Sequence, residues 1–158
     1  MRQFLLFERN NCLKINSRLS AYMPETDNRC TFCKIIDKTT LNKEYFEHLF
    51  FSCLVSNRLL RDICKLFNLT PIEHSIIDRT LYWFGSPGGG TVEEEKLIFF
   101  EFFRFSLWKF KLRKKIPNVN QISTEIALNI VTTCELNRII KQKFVQSGIL
   151  ARCKMALG

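Results

Sequence analysis

The sequence CTFC at residues 30–33, followed by EHLFFSC at residues 47–53, decides the fold of this chain. It places Cys30, Cys33, His48 and Cys53 in the pattern C-x2-C-x14-H-x4-C. Zinc prefers four tetrahedral ligands, and thiolate sulfur and imidazole nitrogen both suit it. The CxxC pair lies on one tight turn, and a helical or turn segment can bring His48 and Cys53 to the same side. Four protein ligands leave no position for water, so the pattern predicts one structural zinc ion.

The other cysteines and the second histidine leave alternatives open. Free cysteine is among the most buried residue types, so the four residues could instead be scattered core positions. Cys64 and His74 are reserve ligands, farther along the chain. We interpret Cys12, Cys134 and Cys153 as core or surface thiols, and His74 as an ordinary loop residue if it binds no metal.

Composition indicates an intracellular globular protein, in the nucleus or the cytoplasm. The chain has 158 residues, 46% of them hydrophobic, which suffices for a core. The N-terminal apolar run is too short for a signal peptide, and the seven cysteines are an odd number, so we expect a reducing compartment. No apolar stretch is long enough to span a membrane; the nearest, Leu97–Trp108, is interrupted by Glu101 and Arg104.

The order of helical patterns and breaks predicts a mainly α fold in which helices flank a small zinc knuckle. We expect helices over 1–23, 54–69, 91–115 and 123–144, a short apolar segment at 76–84, a turn at 118–120 and a loosely ordered tail from Ser147. Pro24 and Pro117 end the first and third helices. The glycine-rich segment 85–90 is the clearest linker. It divides the chain into a zinc-binding domain at 1–84, with its knuckle at 30–53, and a basic helical region at 91–158.

The end of the third predicted helix is a candidate nucleic-acid-binding surface. Its residues are Arg104, Trp108, Lys109, Lys111, Arg113, Lys114 and Lys115. At helical spacing, four of them (104, 108, 111 and 115) share one face, where cations could neutralise phosphates and the indole could stack on a base. Alternatively, the helix is an ordinary core element whose basic end complements the helix dipole.

No catalytic pattern is present, and we expect no enzymatic activity and no small-molecule substrate. The glycine run lacks the Gly-Lys-Ser/Thr of a phosphate-binding loop. Glu93, Glu94 and Glu95 follow it and suit the positive end of a helix dipole.

The string CxFC…EHLFFxC resembles the zinc-binding domain that follows the reverse transcriptase in non-LTR (LINE-type) retrotransposon polyproteins. The resemblance is strongest over residues 13–69, and the later helices resemble the C-terminal tail of such proteins. It implies that Cys30, Cys33, His48 and Cys53 bind zinc. It also implies that the chain is a fragment or a domesticated remnant of such a protein, without its polymerase and endonuclease. Its implied role is to grip template RNA or target DNA beside a reverse-transcriptase domain.

Two functions follow as hypotheses. The net charge of +9 favours a polyanionic partner, nucleic acid first and an anionic membrane surface second. The first hypothesis is therefore a zinc-stabilised nucleic-acid-binding module, with Arg9, Lys14 and Arg18 as further phosphate contacts. The second is a protein-interaction or scaffolding domain that docks through its Phe-rich helix, and an exposed patch of Phe99, Phe102, Phe103 and Phe110 would favour it.

Overall fold

A computed structural model describes residues 13–70 and 94–158 of the chain. The described residues are mainly helical, as predicted, and contain no strand beyond an isolated antiparallel bridge between Arg29 and Lys43. The elements, in chain order, are α1 (Asn16–Tyr22), α2 (Thr31–Ile36), a π-helical turn (His48–Ser52), α3 (Leu54–Leu66), α4 (Glu94–Leu112), α5 (Val119–Leu136), α6 (Arg138–Gln146) and α7 (Ile149–Leu157).

The predictions for the first half of the chain are confirmed in part where the structure describes them. Helix α1 ends at Tyr22, just before Pro24, and α3 lies within the predicted 54–69. Residues 13–15 precede α1 and are not helical, and the rest of the predicted N-terminal helix lies outside the described residues. The short apolar segment at 76–84 and the linker at 85–90 also lie outside them.

Helix α4 ends earlier than predicted. It stops at Leu112, because Lys114 adopts a left-handed backbone with φ of 52°. The amide of Lys114 donates to the carbonyl of Lys111, and the amide of Lys115 donates to that of Phe110. This is the Schellman arrangement, in which two carbonyls of the last turn gain donors from the residues beyond the helix. Lys115 therefore lies outside the helix rather than on its face.

The predicted turn at 118–120 is wrong, because Asn118 caps a helix that begins at Val119. The Oδ1 atom of Asn118 accepts from the amide of Gln121 at 2.8 Å, and Oε1 of Gln121 accepts from the amide of Asn118 at 3.1 Å. This reciprocal capping box satisfies two amide donors at the start of the helix.

The prediction for the C-terminus is also wrong in two respects. The helix expected over 123–144 is two helices, since Asn137 interrupts it and accepts from the amides of Ile139 and Ile140. The tail expected to be loose from Ser147 forms α7. Gly148, with φ of 72°, provides the left-handed turn between α6 and α7.

The described residues form two compact units. The first comprises the described residues of Met1–Leu59 together with Leu107–Pro117. Its core contains Leu13, Ile15, Phe32, Leu49 and Phe50. The last turns of α4 thus belong to the unit that holds the cysteine and histidine cluster.

The second unit comprises the described residues of Leu60–Ser106 together with Asn118–Gly158. Helix α5 packs against α6 and α7, which also contact each other. Phe67 and Phe99 meet edge to face, with 5.0 Å between the ring centroids. The guanidinium of Arg152 donates to the carbonyl of Phe67 at 3.0 Å. This hydrogen bond links α7 to the residue that follows α3.

Candidate metal centre

Cys30 and Cys33 are presented by the start of α2. Cys30 is the residue before the helix, and Cys33 lies in its first turn. The backbone on both sides of the Arg29–Lys43 bridge holds this corner in place: the amide of Cys30 donates to the carbonyl of Asn42 at 2.7 Å. The CxxC pair is therefore fixed by backbone hydrogen bonds on one side and by a helix on the other.

His48 and Cys53 are presented by the π-helical turn. The amide of Cys53 donates to the carbonyl of His48 at 2.7 Å, which closes a ring one residue wider than that of an α-helix. Leu49, Phe50 and Phe51, which lie between them, are all buried. The apolar run LFF therefore anchors the turn in the core, and the two residues at its ends return to the same side, as the sequence predicts.

The four side chains meet at one point. Their donor atoms all lie within 4.8 Å of one another, with Cys30 and Cys53 buried and Cys33 and His48 partly exposed. The Sγ atom of Cys53 is 3.9 Å from that of Cys30 and 3.7 Å from that of Cys33. Cys33 Sγ is 3.3 Å from Nε2 of His48.

These distances fit a tetrahedral ion. With metal–sulfur bonds of about 2.3 Å and metal–nitrogen bonds of about 2.05 Å, a regular tetrahedron separates two sulfurs by about 3.8 Å and a sulfur from a nitrogen by about 3.6 Å. The three separations given above match these values to within a few tenths of an ångström, and the other pairs of donor atoms lie within 4.8 Å. The cluster could therefore hold a metal ion without a large rearrangement.

The surroundings of Cys53 favour its thiolate. A hydrogen bond from the thiol of Cys30 lowers the pKa of Cys53 to about 3, and His48 and the backbone amides of Val55 and Ser56 act in the same direction. The pKa of Cys30 rises in turn, because its proton is shared with that sulfur and the group is buried. A cation in the cluster would replace this shared proton, since metal-binding cysteines are deprotonated.

The reserve ligands and remaining thiols do not join the cluster where the structure describes them. Cys64 is buried in the second unit, and burial raises its pKa to about 11, so it is a neutral core thiol. Cys134 and Cys153 are also buried in that unit, which agrees with the core interpretation. His74 and Cys12 lie outside the described residues.

A buried ion pair lies in the same unit as the cysteine and histidine cluster. Nζ of Lys111 lies 3.0 Å from Oε1 of Glu44, and the two side chains are 5% and 0% exposed. The same carboxylate accepts from the amide of Asn16 at 2.9 Å, and from the amide and the hydroxyl of Thr31 at 2.8 and 2.7 Å. Lys111 also donates to the carbonyl of Lys14. Glu44 thus joins the first residues of α1 and α2 to the end of α4.

The sequence prediction missed this pair and assigned Lys111 to the surface. Its position in the helical pattern carries the signal, because Lys111 comes four residues after the buried Leu107 and eight after the buried Phe103. A lysine on such an apolar stripe needs a buried partner. Glu44 itself lies in a polar, non-helical stretch, where no pattern marks it.

The structure divides the seven candidate nucleic-acid-binding residues. Arg104, in the second unit, and Lys111, in the first, are buried, so the predicted outward face is in this respect wrong. Trp108 and Lys109 are half-buried. Arg113, Lys114 and Lys115 are exposed beyond the end of α4, where Arg113 lies over the ring of Phe110 at 5.7 Å from its centroid.

None of the helices within residues 13–70 and 94–158 is long and apolar enough to cross a membrane. Comparison of the chain with protein-family models, with curated proteins and with solved structures finds no match.

Proposed function

We propose that the chain is a zinc-stabilised module that binds nucleic acid and has no catalytic activity of its own. The observation that carries the proposal is the cluster of three cysteines and one histidine, whose donor atoms lie within 4.8 Å of one another. Sulfur and nitrogen donors favour zinc over the oxygen-seeking cations, and four protein ligands make a closed structural site. Zinc thiolates persist in a reducing compartment, which agrees with an intracellular location in the nucleus or cytoplasm.

The role of zinc is to hold two short elements together. Helix α2 has only six residues and the π-helical turn has five, and isolated helices of such length are unstable in water. One zinc ion would bind Cys30 and Cys33 at the start of α2 and His48 and Cys53 at the π-helical turn. It would thereby link the two elements. The free energy of metal binding thereby becomes folding free energy of the first unit.

Charge supports nucleic acid as the partner. The chain carries a net charge of +9, and the turn beyond α4 exposes Arg113, Lys114 and Lys115 in succession. Exposed cations bind phosphates with the release of counterions, and they read no sequence by themselves. The resemblance to the zinc-binding domain of LINE-type reverse transcriptases points to the same partner class, with RNA template or target DNA as the ligand.

The scaffolding alternative has less support. It would be favoured by an exposed patch of Phe99, Phe102, Phe103 and Phe110, and all four side chains are buried within the chain. The Phe-rich helix buries these apolar side chains in the protein's own core. A protein partner would therefore have to dock elsewhere.

Two measurements on the purified chain test the proposal. Elemental analysis should find one zinc per chain, and Cys33→Ser should lose it, whereas Cys134→Ala, which removes a buried thiol outside the cluster, should keep it. Fluorescence anisotropy should then show binding of labelled single-stranded RNA and duplex DNA that weakens steeply with salt. A zinc-loaded chain that binds neither nucleic acid at low salt would refute the binding role while leaving the metal site intact.

A further inference from the structure

A cavity of about 440 Å³ lies in the first unit, separate from the metal cluster. It is lined by residues of α1, α2 and the end of α4 and by the segment between α1 and α2, and none of the four candidate metal ligands is among them. Its volume is within the range of small-ligand pockets, roughly 300–1,000 Å³. One nucleotide base with its sugar is a ligand of suitable size.

Three aliphatic side chains form part of the cavity wall. Leu19, Ile35 and Leu112 line it, and the last two are 47% and 45% exposed. A flat apolar ligand that covers exposed apolar side chains at a concave site binds favourably, because it removes their surface from water. A nucleobase has such a face, provided that it is not already stacked in a duplex.

The cavity has an excess of positive charge. Lys34, Lys111 and Lys114 line it together with one acid, Asp27. Asp27 is neutralised by Lys34 at 2.6 Å and also by Arg29 at 2.7 Å, just outside the lining. Lys111 is neutralised by the buried Glu44. Lys114 forms no ion pair with any residue in the two described ranges, so its charge is available to an anionic ligand.

A polar group at the cavity can recognise a base edge. Both N–H bonds of the Asn16 amide are directed to the protein, one to the carbonyl of Arg29 at 2.8 Å and one to Oγ1 of Thr31 at 3.2 Å. This fixes the amide orientation and leaves Oδ1 of Asn16 as an acceptor with no protein partner in the described part of the chain. The exocyclic amino or ring N–H groups of a base are matching donors.

We propose that this cavity takes one unstacked base of a single-stranded nucleic acid, with the adjoining phosphate bound by Lys114. The inference rests on the proposed nucleic-acid-binding function and names the ligand form and the site. A duplex keeps its bases stacked and paired, so one base can fill the cavity only after it has been unstacked and unpaired, which costs free energy. The chain should therefore prefer single strands over duplexes of equal charge.

The test compares two strands of equal length and charge, a labelled 12-nucleotide single strand and the same strand built of abasic sites. Wild-type chain should bind the strand with bases roughly fivefold to tenfold more tightly. Ile35→Ser should remove most of this preference. Its control is Ile36→Ser, which alters the next, more exposed residue of α2 outside the cavity and should keep the preference.

The phosphate contact is tested separately through salt dependence. Lys114→Asn should weaken binding of both strands alike and reduce the slope of log affinity against log salt by about 0.7, the value for one phosphate of a single strand. Asparagine tolerates the left-handed backbone at this position. Lys38→Asn, an exposed lysine outside the cavity lining, should leave the slope unchanged.

The outcomes separate the two proposals. Binding with bases preferred, and with that preference lost in Ile35→Ser but not in Ile36→Ser, supports the cavity. Equal affinity of the wild type for both strands, or an unchanged preference in Ile35→Ser, overturns the cavity proposal while nucleic-acid binding stands. Absence of binding to any strand at low salt overturns both.

Discussion

Replacing Lys111 with methionine would remove the cation from a carboxylate that has no access to solvent. Methionine is close to lysine in length and is apolar, so it fills the space without adding a charge. Glu44 would remain at 0% exposure with its negative charge uncompensated. We expect Lys111→Met to destabilise the first unit more than any substitution of an exposed lysine does.

The expected loss of stability depends on the hydrogen bonds that Glu44 retains in Lys111→Met. Removing one partner of a buried ion pair costs about 3–5 kcal/mol. Three hydrogen bonds to the carboxylate survive, from the amide of Asn16 and from the amide and the hydroxyl of Thr31, so the lower end, about 3 kcal/mol, applies. That is a large fraction of the 5–15 kcal/mol by which domains are typically stable.

The assay is urea unfolding of the zinc-loaded chain, followed by circular dichroism. Lys115→Met is the matched control: it makes the same change at an exposed position four residues on, and it should shift stability by no more than about 0.5 kcal/mol. Adding Glu44→Gln to Lys111→Met removes the buried charge and should recover part of the loss, a coupling of about 1–3 kcal/mol in a double-mutant cycle.

One result would refute the reasoning. If Lys111→Met unfolded at the same urea concentration as Lys115→Met yet lost affinity for nucleic acid, Lys111 would be a surface cation, as the helical spacing suggested, and not a structural one. The opposite result is a Lys111→Met chain that is destabilised but binds nucleic acid with wild-type affinity when folded at low urea. It would show that Lys111 contributes to stability and not to binding.

Three further outcomes are expected. Lowering the pH from about 7 towards 5 should release the metal as protons compete for its ligands, which a chromogenic zinc indicator can follow. Asp27 has a pKa held below its usual value by Arg29 and Lys34, so its folded form gains stability above the unfolded pKa of about 4 and loses it as the pH falls below that value. Asp27→Asn should therefore reduce the loss of stability at acid pH in a stability–pH profile. The reduction should be about 1 kcal/mol or less, because the Asp27 side chain is a third exposed. The same loss of stability in Asp27→Asn and wild type would contradict a stabilising ion pair at Asp27. Asn118→Ala should cost about 1 kcal/mol in thermal unfolding by removing the capping box of α5, whereas Asn120→Ala, inside the first turn, should cost less.

The metal cluster could be predicted because its information is local. Cysteines two residues apart must share a turn, and the return of His48 and Cys53 needs only a short apolar segment between them. The same holds for α3 and for the end of α1, because their periodicity and the breaks that follow them can be seen in the sequence; the start of α1 at Asn16 does not follow from it. Spacing and residue chemistry were sufficient in both cases.

The errors at the C-terminus have a different cause. Asn118 and Asn137 each serve as a helix cap, yet asparagine is equally common in turns, and the two roles differ only in whether its side chain accepts from the amides of a following helix. The sequence pattern places Asn118 in a turn and Asn137 in a helix interior. The tail beyond Ser147 is helical because α7 buries Ile149, Leu150 and Cys153 against α5 and α6. These are tertiary contacts, and the local sequence pattern does not predict them.

The division of the basic residues changes how a polyanion would meet this chain. Counting charges along α4 treats each lysine and arginine as equally available, but burial removes Arg104 and Lys111 from contact with phosphate. The remaining exposed cations, Arg113 to Lys115, follow a helix end whose position depends on the Lys111–Glu44 pair, and Glu44 also binds the residue after Cys30. We therefore expect metal binding and the presentation of these cations to be linked through one buried carboxylate. Stripping the metal should then weaken nucleic-acid binding even though none of the four candidate ligands lines the proposed cavity.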